Sequence, residues 1–216
     1  MTAPAAGSLR MMGTLGVAGL CSGLAVVGIF LATQPRIERN RAEALEAAIF
    51  RVLQGARSRA AFVMRDEGLV RHDAANGAAA APEIVYAGYD AAGALLGFAI
   101  PAEGPGFQDT IKLIYGYDPS AGRVVGMEVL ESRETPGLGD KIIKDAAFVD
   151  SFRNLAPDPE LVVVKDGRTR DNEVDGISGA TISSKAVVRI INEANARWRD
   201  RLAAGLESAT TARGSE

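Results

Sequence analysis

The chain has 216 residues, 47% of them hydrophobic and 24% charged, enough to bury a core in one globular domain with an accessory segment to spare. Its formal net charge of -3 is spread over interspersed acidic and basic residues, so there is no broad basic field for a phosphate backbone and nucleic acid is excluded as an expected partner. A single cysteine, Cys21, rules out an internal disulfide, and a single histidine, His72, leaves no His/Cys cluster with metal-ligand spacing. No metal site is expected, and any redox work falls to a bound organic cofactor.

No charged residue lies between Arg10 and Arg36, and Met11 to Thr33 is dominated by Leu, Val, Ala, Ile, Gly and Met. That length crosses a hydrocarbon core as a helix, so one transmembrane helix is expected over residues 11–33 behind a tail of residues 1–10. A cleaved signal peptide is the competing reading. It normally has an apolar region of about 7 to 15 residues and a small-x-small cleavage site, and this segment matches neither well. Leu20 before Cys21 likewise argues against a lipoprotein. Arg36, Arg39 and Arg41 follow the helix and Arg10 precedes it, which by the positive-inside rule would put the large domain in the cytoplasm; long domains, however, are translocated largely regardless of charge.

Beyond the apolar segment, Leu45, Ala48, Ile49 and Val52 fall on one face of a helix. A stalk helix is expected over residues 34–60, then one domain over 61–206 and a C-terminal tail over 207–216. Ala74 to Ala81, with Asn76-Gly77, reads as a surface loop. Strands are expected at Glu83 to Tyr89, Ala94 to Ile100, Thr110 to Tyr117 and Val124 to Leu130. Turn residues at Asp90 to Gly93 and Asp118 to Gly122 join them into a meander. Asp145 to Asn154 reads as a short helix, Leu161 to Lys165 as a strand, and Ile182 to Leu202 as a long helix with Ile182, Val187, Ile190, Ile191 and Ala194 apolar. A meander with helices appended predicts an α+β domain, an antiparallel sheet with flanking helices, rather than a βαβ sheet.

No G-x-G-x-x-G follows a strand and no Gly-Lys-Ser/Thr closes a P-loop, so the common nucleotide cradles are missing. No Ser-His-Asp set stands out either, and His72 is isolated in a polar stretch. The informative segment is Asp175-Gly176-Ile177-Ser178-Gly179-Ala180-Thr181, a turn running straight into the last helix. Free N–H groups and the helix dipole stabilise a phosphate at such a corner, and Gly176 and Gly179 permit close backbone approach. The same residues also suit a plain N-cap, with Ser178, Thr181 or Ser183 accepting from the first turn. Local physics leaves both readings standing.

Ser178-Gly179-Ala180-Thr181, preceded by Asp175 and followed by Ile182-Ser183-Ser184, resembles the flavinylation motif of FMN-binding domains, in which the threonine is the attachment point. Glu134-Thr135-Pro136-Gly137-Leu138-Gly139, just after the strand Val124 to Leu130, resembles the other signature of that family. The layout is most similar to the G subunit of the Rnf ion-translocating oxidoreductase complex. The homologous C subunit of the sodium-translocating NADH:quinone reductase shares it with a larger soluble part. Gly176 departs from a frequent alanine, and Ser132-Arg133 stands where a histidine often precedes the glutamate.

The resemblance implies FMN held by a phosphoester on Thr181, installed by a flavin transferase that uses FAD and releases AMP. It implies that Ser178, Gly179 and Ala180 supply donors to phosphate oxygens, and that Asp175 orients the threonine or a metal during attachment, or simply stabilises the helix dipole. For the flavin ring it suggests Leu138 as an apolar face, Gly137 and Gly139 as points of close approach, and Thr135 or Lys141 as a donor or positive charge near the pyrimidine edge. Lys141 as a solvated surface lysine and Pro136-Gly137 as a mere tight turn remain the alternatives. The implied function is electron relay within a membrane complex, by a redox subunit that is not a complete enzyme alone. Its partners would be the other subunits, the transferase during maturation, and the bilayer. The implied location is a bacterial inner membrane, single-pass, with the domain in the periplasm, where a lost cofactor is not readily replaced. An apolar helix without ionisable residues offers no ion path of its own. The competing functional readings are the quinone reductase subunit and a non-redox, membrane-tethered binding or assembly module.

Overall fold

A computed structural model describes residues 5–65, 68–72, 84–165 and 167–211; the expected Ala74 to Ala81 loop and Glu83 lie outside them. The chain divides into two compact units, Met1–Glu43 and Ala44–Glu216.

The first unit is helical, and its helix α1 runs Ala5–Val52 with Pro35 inside it. Its most apolar window has a mean hydropathy of 2.3, long and apolar enough to cross a membrane, and its large side chains from Met11 to Leu31 are exposed. The Thr14 and Thr33 hydroxyls donate to the Arg10 and Ile29 carbonyls, each at 2.9 Å, so these polar groups are satisfied within the helix itself. Two expectations change. Residues 5–10 are already helical rather than tail, and the helix stops at Val52 rather than residue 60, because Gly55 at φ +94 turns the chain and Ser58 opens a strand.

The second unit is built on a six-stranded antiparallel sheet in the order β2-β1-β3-β4-β5-β6. The strands are β1 Ser58–Arg65, β2 Gly68–His72, β3 Ile84–Tyr89, β4 Leu95–Pro105, β5 Thr110–Asp118 and β6 Arg123–Glu131. Both expected turns form. Asp90 Oδ1 accepts from the Ala94 N–H at 2.8 Å, and Asp118 Oδ1 accepts from the Ser120 N–H at 2.8 Å. Strands β1 and β2 have no counterpart in the sequence reading. Ala60, Ala61 and Met64 dilute any alternation in β1, whose strand character comes from pairing on both sides, with β2 and β3.

Alternation then builds two cores. Val85, Ala87, Phe98, Ile100, Leu113 and Tyr115 face one way and pack with the last helix, α4, Thr181–Thr211. Ile84, Tyr86, Ala99 and Ile114 face the other way and meet Ala48, Ile49, Val52 and Leu53 at the end of α1. The expected stripe on the first helix is thus buried against the sheet.

Glycines make that contact possible. A Cβ at Gly88 would come within 2.6 Å of Leu53 Cδ1, one at Gly116 within 2.8 Å of the Val52 carbonyl oxygen, and one at Gly126 within 3.1 Å of the same oxygen. Gly88 is paired with Gly97 and Gly116 with Gly126 across neighbouring strands. A side-chain-free seat therefore lies under the last turn of α1, which approaches the sheet backbone directly.

The remaining elements complete the second unit. After β6 come α2, Lys141–Lys144, and α3, Ala146–Asp150, whose N-cap Asp145 accepts from the Phe148 N–H. The expected Asp145 to Asn154 helix is shorter than predicted, ending in turns at Asn154, which has φ +60. Strands β7, Val162–Val164, and β8, Glu173–Asp175, pair in parallel, a small departure from the otherwise antiparallel α+β plan. Helix α4 continues to Thr211 rather than ending at Leu202, and Ala209 is buried where a tail was expected. The Tyr89 hydroxyl donates to the Ala209 carbonyl at 2.9 Å and ties this last turn to β3.

Candidate functional site

The chain leaves β8 at Asp175 and reaches α4 through five residues that are held by backbone and hydroxyl bonds. The Gly176 N–H donates to the Val164 carbonyl at 2.8 Å, and the Ala180 N–H closes a turn on the Ile177 carbonyl at 3.0 Å. Gly179 occupies that turn at φ +80, a conformation glycine adopts without steric cost. Ser184 stitches the corner shut: its hydroxyl accepts from the Ile177 N–H at 3.2 Å and donates to the Ala180 carbonyl at 3.0 Å.

Ala180 stands at the cap position, since its carbonyl takes the first helical bond, from the Ser184 N–H at 2.9 Å. Alanine has no capping side chain. None of the expected cap residues fills the role. Ser178 is exposed, and the Ser183 hydroxyl is spent elsewhere, on Glu134 at 2.7 Å. Thr181, the first residue of α4, is half-buried, and its hydroxyl makes no hydrogen bond among the described residues. The N–H groups of Thr181, Ile182 and Ser183 are the first-turn donors that a helix cannot satisfy internally.

The Glu134 to Gly139 segment packs against this corner. Glu134 is only 5% exposed, and its Oε1 accepts from the Phe107 and Gln108 N–H groups at 2.8 and 3.0 Å. Burial pushes the Glu134 carboxyl upward, but the donors from Gln108, Ser183, Phe107 and Asp109 together outweigh it and hold the group below its ordinary range. Thr135 donates its hydroxyl to the Gln108 side-chain carbonyl at 2.8 Å. Gly137, at φ +79, forms the tight turn anticipated for Pro136-Gly137, and its N–H donates to Asp140 Oδ1 at 2.7 Å. The Lys144 ammonium beside Asp140, with the Gly137 N–H, lowers the Asp140 carboxyl as well. Lys141, first in α2, donates from Nζ to the Ser178 carbonyl at 3.2 Å. It thereby carries a positive charge to the turn before α4.

The two segments singled out in the sequence therefore meet through Glu134–Ser183 and Lys141–Ser178. Leu138 is 52% exposed on this side, as are Phe107 at 64% and Ile182 at 59% on the adjoining segments. Some expected roles change. A Cβ at Gly176 would lie 2.7 Å from Val163 Cγ1, so that glycine serves the packing of β8 on β7. A Cβ at Gly139 would lie 2.5 Å from Glu134 Oε2 and 2.9 Å from Ser183 Oγ, so Gly139 makes room for the carboxylate. Asp175 ends β8 exposed. The sequence reading missed Phe107, Gln108 and Asp140. Gly106-Phe107-Gln108 carries only a generic turn signal, and its partner Glu134 lies 26 or 27 positions away.

A phosphate with an apolar planar ring suits this chemistry: three N–H groups at a helix start that are unpaired among the described residues, a lysine alongside, and apolar side chains left exposed next to them. Residues 106–196 match the model of the FMN-binding domain family. That span holds both segments and the start of α4.

Among sequence relatives, the chain is 35% identical over 111 residues to the G subunit of the ion-translocating oxidoreductase complex of Methanosarcina acetivorans, covering 51% of this chain and 56% of that one. It is 42% identical over 104 residues to the protein of the same name from Aliivibrio fischeri, covering 45% and 47%. The chain thus spans about half the length of the curated relatives it matches. The crystal structure of Shewanella oneidensis NqrC shares the fold, with a TM-score of 0.60 at 19% identity over 77% of this chain and 99% of that one.

Proposed function

We propose that this chain is the flavin-carrying electron-relay subunit of a membrane-bound, ion-translocating oxidoreductase complex of the Rnf type, with FMN esterified to Thr181. The observation that carries the reading is the hydroxyl chemistry at the start of α4. Ser183 and Ser184 have their hydroxyls committed to Glu134, Ala180 and Ile177, whereas among the described residues Thr181 has its hydroxyl uncommitted beside unpaired N–H groups. The relatives from ion-translocating oxidoreductase complexes and the FMN-binding domain match support the class of protein.

In this reading the Thr181 oxygen bonds to the FMN phosphorus as the pyrophosphate of FAD breaks; AMP leaves and the hydroxyl proton is lost. The N–H groups of Thr181, Ile182 and Ser183 and the dipole of α4 stabilise the phosphate. Gly179 keeps the turn free of side chain, Ser178 lies exposed beside it, and Lys141 adds positive charge. Leu138, Phe107 and Ile182 supply apolar surface for the ring, and Thr135 and Gly137 hold the loop that presents Leu138. When bound, FMN supplies the electron-carrying chemistry that this chain's side chains lack. Helix α1 anchors the protein in an inner membrane with the domain on the periplasmic side, and ion movement resides in partner subunits.

The test is co-expression of the full chain with a flavin transferase, followed by denaturing electrophoresis and in-gel fluorescence. A fluorescent band that disappears in Thr181→Ala and persists in Thr181→Ser is expected. A dark wild-type band would instead favour the non-redox assembly module.

A further inference from the structure

Glu134 belongs to the segment that resembles a flavin-domain signature, yet it is closed to any ligand. It is 5% exposed, and Gly139 and Ser183 lie against its carboxylate. Its two oxygens instead divide their bonds between separate parts of the fold. Oε1 takes the Phe107 and Gln108 N–H groups of the β4–β5 turn, and Oε2 takes the Ser183 hydroxyl in the first turn of α4. Thr135 adds a second tie to the same turn through Gln108.

We propose that Glu134 is a positioning residue, a buried anionic clasp that sets the first turn of α4, and with it the Thr181 hydroxyl, against the turn carrying Phe107. The proposal rests on Thr181 as the flavin acceptor and deepens that reading. Three segments converge on one carboxylate: residues 106–109, 134–139 and 181–184. Only the last carries the acceptor hydroxyl. A charged acceptor makes the stronger kind of hydrogen bond, and a buried carboxylate with its lone pairs engaged resists rotation in a way an exposed one does not. Two of its donors are backbone N–H groups, so substitution cannot remove them and can only leave them unpaired. Gly139 lies close against the carboxylate: a Cβ there would meet Glu134 Oε2 at 2.5 Å.

The experiment uses the full chain in detergent with purified bacterial flavin transferase and FAD, and measures flavin incorporation per folded chain. Glu134→Ala is expected to slow incorporation at least about tenfold, the equivalent of one hydrogen bond to a charged group, without changing the KM for FAD. Glu134→Gln keeps the shape and much of the bonding, and restores most of the rate. Hydrogen exchange on the flavin-free chain gives an independent readout. In Glu134→Ala the Phe107, Gln108 and Ser184 amides lose protection while those of β3 keep theirs. Ser183→Ala severs only the link to α4; it serves if Glu134→Ala does not fold, and is expected to slow incorporation while sparing the Phe107 and Gln108 amides. Wild-type incorporation rates in the variants, or unchanged protection at these amides, would overturn the clasp. If the wild-type chain takes no flavin at all, the reading of Thr181 fails. The exchange pattern alone then decides whether Glu134 sets the helix start.

Discussion

At the scale of single residues, the corner before α4 is governed by which polar groups are already spoken for. Glu134 is held below its ordinary range by the donors that outweigh its burial. A carboxyl depressed in the folded state adds stability above its unfolded pKa, and that stability is lost as pH falls through the folded value. Urea midpoints for the full chain are therefore expected to hold steady down to about pH 5 and to drop below the ordinary value of 4.5. In Glu134→Gln the drop is shallower, with the remainder coming from the lowered carboxyls of Asp140 and Glu173. Identical acid profiles in the two proteins would contradict this role for the carboxylate.

Lys141 makes a different prediction, because its charge reaches the turn from an exposed stem. Lys141→Met should slow flavin incorporation roughly threefold to tenfold at low salt and less at high salt, as screening weakens the wild-type advantage; equal rates at both salts would argue for a plain surface lysine. At this scale the sequence was informative about identity and less so about role. Thr181, Gly179, Gly137 and Lys141 were singled out in the sequence, and all lie on the segments around the turn before α4. Gly176 and Gly139 were visible as glycines, but whether a glycine admits a ligand or a neighbouring side chain depends on atoms far away in the chain. Those atoms are Val163 for Gly176, and Glu134 with Ser183 for Gly139.

At the scale of elements, periodicity found the strands and helices whose faces differ in polarity, and missed those stabilised by pairing alone. The β3 to β6 meander and the body of α4 were readable for that reason. Strands β1, β2 and β8 were not, being short or rich in alanine and arginine and held by their neighbours. The glycine seat under Val52 and Leu53 is another tertiary fact that no local pattern announces. Gly116→Ala would force a Cβ against the Val52 carbonyl oxygen and Val125 Cγ2, each 2.8 Å away. A destabilisation of about 1–3 kcal/mol is expected by urea denaturation, the range for overpacking. A neutral effect would mean that the end of α1 lifts off the sheet easily.

At the scale of the whole molecule, residues of α1 belong to both units. Its apolar stretch has the length and hydropathy to cross a membrane, while its last turns are core of the second unit, with Ala48 and Ile49 fully buried. A chain beginning at residue 36 should consequently be soluble and retain the thermal transition of the full domain, whereas one beginning at residue 54 loses that core and should be unstable or insoluble. Equal stability of the two truncations, by circular dichroism melts, would contradict the packing described for the helix end. The sequence showed an apolar stretch and an apolar stripe but parsed them as separate helices, because Pro35 and the charged run after it look like a boundary. Protease added to intact spheroplasts should digest the domain if it is periplasmic, and protection would reverse that orientation.

A covalent flavin on Thr181 would be seen in peptide mapping by mass spectrometry of the full chain purified from its native source. Trypsin releases the segment from Asp171 to Lys185, which contains Ser178, Thr181, Ser183 and Ser184. This peptide is expected to carry the added mass of an FMN phosphoester, with fragment ions assigning it to Thr181. An unmodified peptide, or a flavin on one of the serines, would contradict it.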